Sequence, residues 1–208
     1  MAKTTYKTWA DNTIPTAAEF NEQIRDNGNA IWVGTTAGDM DYYNSATTKA
    51  RLAIGAEGTV LQSNGTTPFW ADAETASVYY NGAQSIGNNS LTAIASFNTE
   101  YFDTDGFHTG TDGNITIPAT FGGYYFIWAG GYFSSHATAN KLRHMELLVG
   151  ATVVAQQDVT SVASEIMGLY VSTLYSLSAG DVITVKVKHT AGVSLNFNYP
   201  ELIVVRLK

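Results

Sequence analysis

The segment DTDGFHTGTDGN, residues 103–114, holds the residues whose type and spacing come nearest to chemistry. Asp103, Asp105 and Asp112 would supply hard carboxylate oxygens of the kind that gather around Ca²⁺. The same Asp-Gly pairs are ordinary turn residues, and the D-x-D-G run lacks the downstream bidentate Glu of an EF-hand loop. A turn is preferred over a metal site, and no cofactor is expected. A second cluster is YFSSHATANKLRH, residues 132–144, where His136, Asn140, Lys141, Arg143 and His144 follow the aromatic pair Tyr132-Phe133. Aromatic rings beside hydrogen-bond donors suit a sugar, so these seven residues form the candidate receptor-binding set. The competing reading is a solvated connection with charges flanking its strands.

Other catalytic arrangements are missing from the sequence. His108, His136, His144 and His189 show no H-E-x-x-H spacing, and there is no G-x-S-x-G elbow. Carboxylate pairs drawn from Asp103, Asp105, Asp112 or Glu165 would be on offer in any acidic protein. The chain is expected not to be an enzyme. A formal net charge of −7, with acids outnumbering bases on both sides of residue 75, argues against a nucleic-acid partner. No cysteine is present, which excludes a thiolate zinc site. No stretch approaches the ~20 apolar residues of a membrane helix, so no membrane insertion is expected. MAKTTYKTWADNTIP has no apolar signal core, and synthesis in a cytoplasm is the expectation.

Three kinds of segment must position these residues. Residues 1–33 contain the one helix signal, TIPTAAEFNEQIRDNGNAIW, in which Thr16 and Glu19 make a capping box. Ile14 would staple onto Phe20, and Ala17, Phe20, Ile24, Asn27 and Ile31 line one narrow stripe suited to packing on identical helices or on a host scaffold. Trp9 and Trp32 flank the stripe as possible anchors. Residues 34–76 carry a Gly or Asn turn signal every few positions and only very short apolar runs, such as Leu52 to Ile54 and Phe69-Trp70. Runs this short cannot close a core within one chain, which predicts a stalk whose copies cover one another. Residues 77–208 show strand signals every 8–15 residues, the rhythm of an antiparallel sandwich. Strands are expected over 78–80, 93–98, 114–117, 123–133, 141–149, 152–158, 165–177, 182–189 and 195–205. Tyr124, Phe126 and Trp128 share one face of their strand and Tyr125, Ile127 and Ala129 the other. A strand apolar on both faces predicts a subunit contact on the outer one.

Two resemblances emerge from these motifs. GDMDYYNSATTKARLAIGAEGTVLQSNGTTPFWA resembles a spacer of bacteriophage tail-fibre and virion-appendage proteins. It matches at Gly38-Asp39, Thr47, Arg51-Leu52, Ile54-Gly55, Gly58, Val60-Leu61, Asn64-Gly65, Pro68 and Trp70. Met40-Asp41 departs from it, standing where a leucine pair is usual. In the last 110 residues or so, Phe97, Asp103, Phe107 and Gly122 to Phe126 resemble the opening of the C1q and tumour-necrosis-factor jelly roll. Leu177, Gly180-Asp181, Ile183 and Val185 resemble its penultimate strand, and Phe197, Tyr199 and Leu202 its last. A glycine usual near Tyr199-Pro200 is missing, which leaves the register of that strand open.

The resemblances imply a mainly β chain: a short N-terminal helix, an extended stalk and an antiparallel C1q/TNF-like jelly-roll head, assembled as a homotrimer. Tyr124, Phe126, Trp128, Phe20, Ile24 and Ile31 would form the trimer interface. Trp9, Phe20 and Trp32 would hold other virion proteins, and the head would bind a host-surface glycan or protein. The alternatives are a capsid head-fibre or decoration protein and, less favoured, a polysaccharide-depolymerising spike.

Overall fold

The computed structural model of the protein describes residues 14, 16–21, 33–46 and 48–207. The chain divides into two units, Met1–Asp72 and Ala73–Lys208.

In the first unit, α1 (Ala17–Asn21) starts at the expected capping box. The Glu19 N–H donates to Thr16 Oγ1 at 3.2 Å and the Thr16 N–H donates to Glu19 Oε2 at 2.9 Å. Ile14 is 91% exposed and Phe20 54%, so the staple between them does not form. Trp9, Ile24, Ile31 and Trp32 lie outside the described residues.

Residues 38–71 form two hairpins, β1 (Met40–Tyr43) with β2 (Lys49–Leu52), and β3 (Val60–Ser63) with β4 (Pro68–Ala71). Asp39 organises the first. Its carboxylate accepts from the N–H groups of Thr35 (2.8 Å), Thr36 (2.7 Å) and Ile54 (3.2 Å), and from Arg51 Nε at 2.6 Å. The Arg51 guanidinium holds this carboxyl well below the usual carboxylate range. In the second hairpin, Asn64 Oδ1 accepts from the N–H groups of Thr66 and Thr67. Trp70 Nε1 donates to the Ala53 carbonyl at 2.8 Å, and its ring lies so near Gly55 that a Cβ there would stand 2.6 Å from it. The residues of the phage-like phrase thus have local structural work, holding turns and docking one tryptophan.

The second unit contains β5 (Thr75–Tyr79), β6 (Ala83–Ile86), β7 (Thr92–Ala93), β8 (Thr99–Asp103), β9 (Asn114–Thr116), β10 (Gly123–Phe133), β11 (Leu142–Val149), β12 (Thr152–Thr160), β13 (Met167–Leu177), β14 (Val182–His189) and β15 (Leu195–Arg206). One sheet runs β13-β10-β15-β5-β8, with β6 also on β15; the other runs β12-β11-β14, with β7 and β9 both on β14. Every pairing is antiparallel. Counted along the chain, β5, β9, β10, β11, β12, β13, β14 and β15 take the orders 1-8-3-6 and 2-7-4-5. That order is the double Greek key of a jelly roll. The long strands follow their period-two patterns: Tyr125, Ile127, Ala129 and Phe133 of β10 face Met145 and Leu147 of β11 and Ile183, Val185 and Val187 of β14 in one buried core. Each large aliphatic side chain among them contributes about 2 kcal/mol by leaving water.

The edges differ from expectation. The single strand expected over 93–98 is reduced to the two-residue β7, and β6 and β8 form where no strand is expected. β6 pairs with the much longer β15 and β8 with β5, and these partners impose the pairing on sequences with weak alternation. Opposite Tyr199-Pro200 the β10–β15 register shifts between Gly130 and Tyr132. Tyr199 takes φ 46°, the conformation a glycine would take there more readily.

Candidate functional site

The structure splits the receptor-binding set between interior and surface. Phe133 and Arg143, both expected to face a ligand, are fully buried. Phe133 packs edge-on to Phe197 with ring centroids 4.9 Å apart and to His189 at 5.2 Å. The Arg143 guanidinium lies over the Phe133 ring, 5.6 Å from its centroid. The reason is alternation: Phe133 and Arg143 fall on the inward phase of β10 and β11, and proximity to polar residues in sequence does not change which face they occupy.

Tyr132, His136, Asn140, Lys141 and His144 remain half-buried or exposed. Tyr132 sits beside Tyr199 with centroids 6.0 Å apart, a partner 67 positions further along the chain that local reading could not supply. Asn198 Nδ2 donates to the Tyr132 carbonyl and to Ser134 Oγ, bracing the aromatic pair. His136 Nδ1 accepts from the Thr138 N–H at 3.2 Å. His144 lies away from this group on the outer face of β11, where Nδ1 is 2.6 Å from Asp158 and Nε2 is 3.0 Å from Glu146. Lys188 and Lys186 stand opposite His144 and Glu146 in the β11–β14 register.

His189 went unassigned in the sequence and proves to be buried. Nε2 donates to the Ile86 carbonyl at 2.9 Å while Nδ1 accepts from the Ala191 N–H at 3.2 Å, which defines a neutral tautomer. Burial pushes its pKa down, and the nearby Arg143 charge acts in the same direction.

The acidic loop is a turn by its hydrogen bonds. Asp103 accepts from the N–H groups of Asp105, Gly106, Phe107 and His108, the last three at 2.9–3.0 Å. Asp105 accepts from the Thr104 hydroxyl at 2.7 Å. Buried His108 ties the loop down, with Nδ1 2.7 Å from Glu100 and Nε2 2.9 Å from the Asp112 carbonyl. Asp103, Asp105 and Asp112 are not gathered into a ligand set, and no cluster suited to a metal occurs among the described residues.

The other extended feature is the outer face of the β13-β10-β15-β5-β8 sheet. Leu174, Phe126 and Val205 lie side by side in one cross-strand row, and Trp128, Ile203, Ser77 and Phe102 fall in the next. Tyr124 and Tyr170 are each 64% exposed and Leu174 is 66% exposed. Trp128 is half-buried because it folds over Gly130, where a Cβ would stand 2.4 Å from the ring. Phe20, proposed for the same interface, is exposed on α1.

No family model matches the chain, and no curated protein matches it. Among solved structures, the globular domain of zebrafish complement 1qA protein is 18% identical, covering 65% of this chain and 98% of its own, with a TM-score of 0.45. PRD1 vertex protein P5 is 18% identical, covering 66% of this chain and 100% of its own, with a TM-score of 0.49. Eiger TNF from S. frugiperda is 12% identical, covering 65% and 93%, with a TM-score of 0.45. At these values none of them assigns a role to a residue of this chain. The jelly-roll architecture rests on the strand pairings of the chain itself.

Proposed function

We propose that the protein is a structural component of a bacteriophage virion, a homotrimeric fibre or spike whose jelly-roll head binds a host-surface receptor or glycan without catalysis. The observation that carries the reading is the outward apolar face at Tyr124, Phe126, Tyr170 and Leu174. A monomer would leave these side chains in water, and contiguous apolar patches of this kind belong to protein contacts. The number three comes from the resemblance to the C1q/TNF jelly roll, and the virion from the phage-like phrase over residues 38–70. Once the sheet face is engaged by a second copy, the loops are the surface left for a receptor. Three weak heads on one particle would gain strength through effective concentration.

Native mass measurement tests the assembly, and a particle of 22.4 kDa at micromolar concentration would overturn it. Deleting residues 1–33 should abolish incorporation into virions while leaving a folded, trimeric head. Binding of the purified protein to host cells tests the receptor. Absence of binding, together with co-purification with capsids, would replace adhesion by a decorating role. Release of sugars from host polysaccharide would replace it by depolymerisation.

A further inference from the structure

Within the jelly roll, Arg143 is the only Lys, Arg, Asp or Glu that is fully buried among the described residues. Its Nη1 donates to the Leu142 carbonyl at 3.0 Å, and its Nε is buried with no hydrogen-bond partner. No carboxylate among the described residues pairs with it, and its charge acts on buried His189. Burial holds the guanidinium below its ordinary pKa, with no counter-charge to raise it. A buried charge is ordinarily compensated by a partner, because removing it from water unpaired is costly.

At the Arg143 end of the sandwich two connections, residues 134–141 and 161–166, are tied to one another, and beside them Thr190 exchanges hydrogen bonds with Leu142. The Asn140 N–H donates to the Ser161 carbonyl, the Ser161 N–H to the Lys141 carbonyl, and the Ser164 N–H to the His136 carbonyl, each at 2.8 Å. Both connections carry backbone strain, with Asn140 at φ 59° and Ser164 at φ 62°. Left-handed non-glycine residues persist where surrounding structure holds them, and such sites are common at ligand clamps. The Lys141 N–H also donates to Ser161 Oγ at 3.1 Å and the Ser161 hydroxyl to the Thr138 carbonyl at 3.3 Å. The bonds at 140, 141 and 161 continue the open end of the β11–β12 ladder, where pairing frays at lower cost than in the middle of a sheet.

We propose that Arg143 anchors an anion-binding site for the carboxylate or sulfate group of an acidic saccharide, reached when the 134–141 and 161–166 connections separate. The saccharide as source rests on the receptor-binding reading above; the anion site does not. The planar fork of the guanidinium matches an oxyanion, and Nε is a buried donor without a partner. Lys141 and His136, at the rim, add donors for the hydroxyls of the same sugar.

The test is thermal melting of the full chain in sodium glucuronate, sodium sulfate or neutral glucose, at ionic strength held constant with sodium chloride. The wild type should gain a saturable increment of about 4 °C or more with an anion and none with glucose. Arg143→Met should melt higher than wild type in chloride alone, because it removes the unpaired charge, and should lose the anion increment. Equal increments in both proteins, or none in the wild type, would overturn the site. Amide exchange in the wild type reads it independently of any variant: protection at Asn140, Ser161 and Ser164 should fall about tenfold with glucuronate, and unchanged protection counts against the proposal. A glucuronate response without a sulfate response assigns the site to carboxylates, and the reverse to sulfates. Cell binding separates the two levels. Wild-type protein that ignores host cells yet responds to anions defeats the adhesion reading alone, whereas Arg143→Met protein that binds cells like wild type defeats the saccharide assignment.

Discussion

Along β10 the outward side chains are Tyr124, Phe126 and Trp128, whereas along β14 in the opposite sheet they are Thr184, Lys186 and Lys188. Both strands send apolar residues inward and share one core. Outside, one sheet presents a row of rings and leucine, and the other presents His144 between Glu146 and Asp158 with two lysines alongside. Identical inner requirements therefore leave the outer phase of each strand free, and the two sheets use that freedom in opposite ways. The polar exterior is suited to permanent solvation, whereas the apolar one resembles a protein contact, and that difference motivates the proposed assembly.

The comparison breaks most sharply on the inner phase of β10. Ile127→Ala should cost about 3 kcal/mol in denaturant unfolding, since it empties a fully buried site between the sheets. A loss below about 1 kcal/mol would mean that the core does not close as described. One residue away, Phe126→Asp combined with Leu174→Asp should leave the fold intact and reduce the proposed assembly to single chains by native mass measurement. Lys186→Glu on the opposite sheet should leave the assembly unchanged. If the charged face proves to be the one that matters, the roles of the two sheets are reversed.

Titration sharpens the inner half of the comparison. Burial holds His189 below its ordinary 6.5, so the unfolded chain takes up a proton that the folded chain resists. Stability from this residue is intact above 6.5 and is lost as pH falls below it, and His189→Asn should flatten the slope below 6.5. Tyr125 works at the alkaline end. Burial pushes its phenol from 10.0 up to about 12, so the unfolded chain ionises first and stability falls between those values. Tyr125→Phe should remove that alkaline loss, and an unchanged alkaline midpoint would show that the phenol is not the group responsible.

The smallest effect belongs to the polar exterior. His144→Ala should change stability by about 0.5 kcal/mol, as expected of partly exposed polar contacts screened by solvent. A cost several times larger would mark the His144 cluster as buried in an assembly, and would move the interface to this sheet.

How much of this was legible before folding depended on the range of the interaction. The capping box at Thr16 and Glu19, the long strands over 123–133 and 182–189, and the turn at Asp103 all follow from spacings of a few residues. The two hairpins were legible only as turns, because a phrase of Gly, Asp, Asn and Trp records close approaches such as Trp70 on Gly55 without stating what approaches what. β6 and β8 were not legible at all, since their pairing partners β15 and β5 supply the order that their own sequences lack.

Local periodicity, set by the alternation of side chains along an extended backbone, determined a mainly antiparallel β chain and which phase of each long strand is apolar. Tertiary structure decided what that phase meant. It placed Phe133 and Arg143 in the interior although their neighbours in sequence are polar. It brought Tyr199 beside Tyr132, and it left Phe126 and Leu174 together on an open face. Each of these outcomes depends on pairings between residues tens of positions apart, and register across such distances is settled by the packing of the whole sandwich rather than by any one strand.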